Sequence, residues 1–92
     1  MTSYNIVNGR RCSESEELLQ GILRNEWGFD GLVTTDWWNA GEQYKEIIAG
    51  NDVKMGCGFP ERVKLALEKG LITENDINRS VERVLKLILR VD

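Results

Sequence analysis

The residues best suited to chemistry lie in the segment Gly28-Phe29-Asp30-Gly31-Leu32-Val33-Thr34-Thr35-Asp36-Trp37. Asp36 closes a run, residues 31–35, that is almost wholly apolar or β-branched. Such a run forms a strand buried on both faces, as in a parallel sheet. An acid at the C-terminal end of a buried parallel strand stands on the edge where α/β sheets and barrels gather their catalytic groups. Trp37 follows directly. An indole there can wall a pocket, and sugars stack their apolar faces on such rings. The competing role for Asp36 is to cap a helix or turn, because aspartate readily accepts orphan amide hydrogens. The pattern alone leaves both roles open. The chain has no histidine, which removes His-based zinc sites and His-dependent triads from it. Its two cysteines, Cys12 and Cys57, sit in unrelated contexts and read as free thiols rather than a disulfide framework.

The elements that must position Asp36 alternate between strand and helix. Residues 1–7 read as a strand running into the Asn8-Gly9 turn dipeptide. Ser13 followed by Glu16 reads as a capping box. The helix beyond it carries Leu18, Leu19, Ile22 and Leu23 at the spacing of one buried face, and Gly28 stops it after Trp27. Residues 28–31 form a turn and residues 31–36 the second strand. A short helix follows over 41–49, then a weaker strand over 51–55. Residues 61–69 form an amphipathic helix with Gly70 just past its end. Thr73 caps a last helix over 74–90, with Ile77, Val81, Val84, Leu85, Ile88 and Leu89 on one face. Its basic residues Arg83, Lys86 and Arg90 suit the negative end of the helix dipole.

Strand–helix alternation predicts an α/β fold with three βα units in a parallel sheet and an additional C-terminal helix. Three units do not close a barrel of eight, and an open three-stranded parallel sheet keeps exposed edges. The pattern therefore reads as one piece, residues 1–92, of a larger α/β domain, or as a chain that needs a partner. The length suits one small domain with a modest core. With 41% hydrophobic and 29% charged residues, the chain is too apolar for a disordered one. Its net charge of -3 is spread along the sequence. No basic patch points to nucleic acid, and no long apolar run points to a membrane. Residues 1–11 lack the charge-then-apolar order of a signal peptide.

Several motifs in the same order resemble the C-terminal half of the barrel domain of glycoside hydrolase family 3. The family often reads M-x-S-Y-N-x-x-N-G, E-W-G-F-x-G-x-V-x-S-D-W and A-G-x-D-x-x-M, with a closing helix rich in R-x-L. Here these are Met1 to Gly9, Glu26 to Trp37, Ala49 to Met55, and Val81 to Leu89. The resemblance covers essentially the whole chain and implies an incomplete (β/α)8 barrel. It implies that Asp36 is the nucleophile of a retaining glycosidase, attacking the anomeric carbon to form a glycosyl ester. It implies that Tyr4 lies near Asp36 and can donate a hydrogen bond to it, that Trp37 lines the sugar subsite, and that Met55 borders the pocket. Asp52 matches a structural, hydrogen-bonding acid. Glu26 and Trp27 match positions of packing and helix termination. Asp30 reads as a turn residue, and Glu14, Glu16, Glu17 and Glu42 as helix-terminus or solvent-face acids.

The chain departs from the family at Thr35, where serine is usual, in the Trp38-Asn39 loop, and at Met55-Gly56-Cys57-Gly58, where M-P is usual. Thr35 keeps a hydroxyl on a small β-branched residue and changes little; the other two differences fall on pocket-facing loops and bear on substrate preference. The family's general acid/base and most of its glycone contacts belong to segments this sequence does not contain. The resemblance thus implies a carbohydrate substrate of β-glucoside type and a partner in the remainder of the parent enzyme. It implies no metal or organic cofactor, and an isolated chain that is almost inactive. Two other classes compete: a non-catalytic interaction or structural module derived from such an enzyme, and a carbohydrate-binding module. The second usually presents several exposed aromatics, whereas here only Trp37 and Trp38 fall in the relevant loop.

Overall fold

Three extended segments lie side by side and parallel in the order of the sequence, with the second in the middle. A computed structural model describes residues 1–37, 41–56 and 58–91; Cys57 and the Trp38-Asn39 loop fall outside them. Among the described residues the parallel pairing consists of two bridges, Thr2 with Thr35 and Thr34 with Val53. Main-chain bonds extend it: Thr2 N–H to Thr34 O at 2.9 Å, Asp36 N–H to Thr2 O at 3.1 Å, Thr35 N–H to Val53 O at 3.0 Å. The expected parallel order is present, but the pairing is shorter than the three full strands predicted from composition. The first segment leaves the sheet early. Residues Ile6–Val7 (β1) instead pair antiparallel with Arg10–Arg11 (β2). Asn8 (φ 51°) and Gly9 (φ 79°) make the turn between them, the two left-handed residues that a tight hairpin requires.

Helices supply most of the regular structure. A 3-10 turn, Cys12–Glu14, precedes a π-helix, Glu17–Glu26, whose C-terminal turn is closed by Trp27 N–H to Ile22 O at 2.9 Å. The helix start corrects the predicted capping box. Ser13 lies buried in the 3-10 turn, and the Ser15 hydroxyl takes an orphan amide, Leu18 N–H, at 3.3 Å. The single apolar face expected for this helix also divides. Leu19 is buried in the core with Val33 and Ala49, and Leu23 packs against them. Leu18 and Ile22 turn toward the hairpin and line a cavity with Val7. Trp27 ends the helix as predicted but packs on little, being 73% exposed.

Three α-helices follow: α1 (Gln43–Ala49), α2 (Pro60–Glu68) and α3 (Glu74–Val91). Proline opens α2 at a position where no amide is needed. A Schellman motif ends it, with Gly70 N–H to Leu67 O at 3.1 Å and Leu71 N–H to Ala66 O at 2.9 Å. The predicted Thr73 cap is present and reciprocal. Asp76 N–H reaches Thr73 Oγ1 at 3.2 Å, and Asp76 Oδ2 accepts from Thr73 N–H at 3.1 Å. Polar contacts from two neighbouring residues help dock α3 on the rest. Arg79 Nη2 donates to the carbonyls of Ile47 and Ile48 at the end of α1, and Ser80 Oγ donates to Asn51 O. Beneath α3 an open cavity of about 230 Å³ is lined by Ile47, Val53, Ile77, Val81 and Val84. Much of the helix's apolar stripe, Val81, Leu85, Ile88 and Leu89, stays exposed.

Candidate active site

Side chains alternate along an extended segment, so the bridge of Thr34 with Val53 places Asp36 and Met55 together on one face. Val33 and Thr35 project to the other face. Both are buried there, Val33 against Leu19 and Ala49 of the helical layer. The polar end of the middle segment thus stands clear of the core. The Asp36 carboxylate accepts the amide of the next residue, Trp37 N–H to Oδ1 at 2.8 Å. Oδ2 makes no hydrogen bond among the described residues. The Tyr4 hydroxyl donates to the carbonyl oxygen of Trp37. Tyr4, Asp36 and Trp37 therefore form one connected group where the first two parallel segments end, and Met55 adjoins it from the third. Tyr4 and Trp37 are half exposed, at 51% each. Asp36 does not line the apolar cavity under α3.

The opposite face holds two buried charge clusters. Asp52, its side chain wholly buried, accepts from Arg24 Nη2 at 3.0 Å, Arg83 Nη1 at 3.2 Å and Val33 N–H at 2.9 Å. Arg24 also donates to the Gly31 and Gly50 carbonyls. Burial pulls the Arg24 guanidinium below its ordinary pKa, Arg83 adds to this, and Asp52 opposes it. Asp52 is thus the structural acid expected, tying the π-helix, the middle segment and α3 together. Its arginine partners were not foreseen. Arg24 sits among helical polar residues, and nothing in its sequence spacing marks it.

Glu46 and Lys54 form the second cluster, also unforeseen. Their atoms meet at 2.6 Å with side chains 1% and 6% exposed, and Lys54 Nζ donates further to Gly41 O at 3.1 Å. A Cβ on Gly41 would fall 2.4 Å from Glu46 Oε2 and 2.9 Å from Ser13 Oγ, so only glycine lets the chain pass this close. A lysine set between Val53 and Met55 in a short strand pattern was the available signal. Glu14, read as a helix-terminus or solvent-face acid, is instead partly buried and accepts Glu42 N–H at 2.7 Å. Asp30, expected in a turn, forms an exposed pair with Arg90 at 3.4 Å. Among the described residues no group of three His, Cys, Asp or Glu side chains could hold a metal ion, and no helix is long and apolar enough to cross a membrane.

The chain matches the model of the Glycosyl hydrolase family 3 N terminal domain over residues 1–87. It is 57% identical over 76 residues to β-glucosidase A of Butyrivibrio fibrisolvens, covering 83% of this chain and 9% of that protein. It is 38% identical over 91 residues to thermostable β-glucosidase B of Acetivibrio thermocellus, covering 96% of this chain and 12% of the relative. Among solved structures, β-glucosidase 3B of Thermotoga neapolitana in complex with glucose superposes with a TM-score of 0.87 at 33% identity, over 94% of this chain and 13% of that one. The β-glucosidase of Kluyveromyces marxianus in complex with glucose gives 0.87 at 36% identity, over 96% and 11%. The chain therefore spans about a tenth of the length of the relatives it matches. The order of motifs, the parallel segments and these matches agree, and the chain belongs to glycosyl hydrolase family 3.

Proposed function

We propose that the 92 residues are the last βα units and closing helix of a (β/α)8 barrel, and that Asp36 is the nucleophile of a retaining, β-glucosidase-type hydrolase. One observation carries the reading. Asp36 ends the central parallel segment with Oδ1 held by the Trp37 amide and Oδ2 without a hydrogen bond among the described residues, on the face it shares with Met55. Oδ2 attacks the anomeric carbon of a β-glucoside as the bond to the leaving oxygen breaks, giving a glycosyl ester. A second carboxyl group protonates that oxygen, then takes a proton from the water that cleaves the ester. Retention requires the two carboxyl groups about 5–5.5 Å apart. The second is supplied from outside these 92 residues, so the isolated chain binds sugar weakly and turns over almost none. Tyr4, Trp37 and Met55 form the protein wall around the sugar, and the solved relatives that carry glucose support a carbohydrate ligand. The chemistry is carried by carboxyl groups and calls for no cofactor.

A 2-deoxy-2-fluoro-β-glucoside with a dinitrophenyl leaving group tests the assignment, because that leaving group departs without a proton donor. The expected outcome is a glycosyl adduct in the intact mass, mapped to Asp36 and absent from Asp36→Asn. An adduct mapped to any other carboxylate would overturn Asp36 as nucleophile. Hydrolysis of an alkyl β-glucoside by the isolated chain well above a buffer blank would overturn the need for an outside acid.

A further inference from the structure

We infer that the Thr35 hydroxyl is a positioning group for the candidate site: by accepting the Met55 amide hydrogen it fixes Met55 beside Asp36. The inference rests on the reading of Asp36 as the nucleophile. In a regular parallel ladder the Met55 N–H would be received by the main-chain carbonyl of Thr35. The ladder runs regularly up to that point, with Val53 N–H to Val33 O at 3.3 Å and Thr35 N–H to Val53 O at 3.0 Å. At the next step it changes partner. Met55 N–H is received at 3.0 Å by Thr35 Oγ1, and the Thr35 carbonyl accepts the Thr34 hydroxyl instead. The third segment thus leaves the sheet at Met55 while remaining tied to it through a side chain.

Thr35 is completely buried, so no solvent can stand in for that oxygen. A buried amide without an acceptor is costly, and the hydroxyl is what lets the chain diverge there without incurring that cost. Thr35 is bonded covalently to Asp36 and through its side chain to Met55. One hydroxyl therefore sets the spacing of the two residues that share the pocket face. Only a side chain with a hydroxyl on Cβ can reach Met55 N–H from this position, so serine preserves the tie and valine, of nearly the same shape, abolishes it.

The test uses the 92-residue chain, isotopically labelled, as wild type, Thr35→Val, Thr35→Ala and Thr35→Ser. Hydrogen exchange of the Met55 amide is read relative to the amides of α3, which removes any general loss of stability. Thr35→Val and Thr35→Ala are expected to speed Met55 exchange roughly tenfold beyond α3 and to shift the Met55 methyl resonance. Thr35→Ser is expected to keep both near wild type. Unchanged Met55 exchange in the folded hydroxyl-free variant, or a serine variant as disturbed as the alanine one, would overturn the inference. Capture of Asp36 by the fluoro-glucoside is timed in the same proteins and should slow in the valine variant while the serine variant retains its rate. Absence of capture in every protein, wild type included, would count against the nucleophile reading alone, since Met55 exchange is decided without it.

Discussion

Replacing Asp52 by alanine should be among the most damaging single changes in the chain, although it leaves the pocket face untouched. The Asp52 side chain is 0% exposed and its partners Arg24 and Arg83 are only 7% and 16% exposed. Removing the carboxylate strands a buried guanidinium, deprives a second of its anion, and leaves Val33 N–H without its acceptor. Breaking a buried pair from one side costs about 3–5 kcal/mol, because the surviving charge stays desolvated. A chain of 92 residues is stable by about 5–14 kcal/mol in all, so this loss is about a fifth or more of the total. At about 4–8 °C per kcal/mol for a domain this size, the melting temperature should fall by about 10–40 °C. Urea denaturation followed by circular dichroism at 222 nm measures it. Asp52→Asn keeps the shape and one acceptor oxygen and should lie between alanine and wild type. Removing all three charges, as Arg24→Met and Arg83→Met with Asp52→Leu, should recover a large part of the loss, since no ion of the cluster is then left unpaired. The effect should change little between low and high salt, because buried pairs are poorly screened. A loss below about 1 kcal/mol for Asp52→Ala, the range of exposed pairs, would refute the clamp.

The second buried pair obeys the same logic: Lys54→Met should cost about 3–5 kcal/mol in urea unfolding, and adding Glu46→Gln should return most of it. Gly41→Ala drives a methyl into the Glu46 carboxylate, which Lys54 pins in place; a loss of about 1–3 kcal/mol is expected, and an unchanged unfolding midpoint would show that the carboxylate gives way. Thr73→Ala removes both hydrogen bonds of the Thr73 hydroxyl while keeping the main-chain arm to Asp76, and should cost about 1 kcal/mol, visible as faster amide exchange in the first turn of α3 and not in its middle.

The elements readable from sequence were those whose signals are local. Asn8-Gly9 had to be a tight turn because two successive left-handed residues are cheap only for such a pair. Thr73 had to start α3, and the apolar run ending at Asp36 had to be the buried middle segment. The motif order carried the family, and with it the place of Asp36. What sequence hid was tertiary. Glu46 stands beside Lys45 in a short helix, and nothing in that local pattern marks it for the interior, yet it is buried where Lys54, eight residues on, meets it in space. The expected Ser13 cap gave way to Ser15 two residues later, because Ser13 is drawn into the core, where its carbonyl accepts from Asn51. Periodicity told which residues of α3 share a face; it could not tell how much of that face the rest of the chain would cover.

Asp36 and Asp52 stand on opposite faces of one thin layer, and this separation has a use in protein engineering. Residues that point with Asp36, namely Thr34 and Met55, can be randomised to reshape what meets a ligand while the Arg24–Asp52–Arg83 clamp behind them is left unaltered. Changes of length are another matter. Inserting or deleting a single residue between 32 and 36 inverts the alternation, turns the carboxylate of Asp36 into the helical layer and brings a threonine out in its place. A library built on this scaffold should therefore vary side chains at these two positions and hold the residue count of the middle segment fixed.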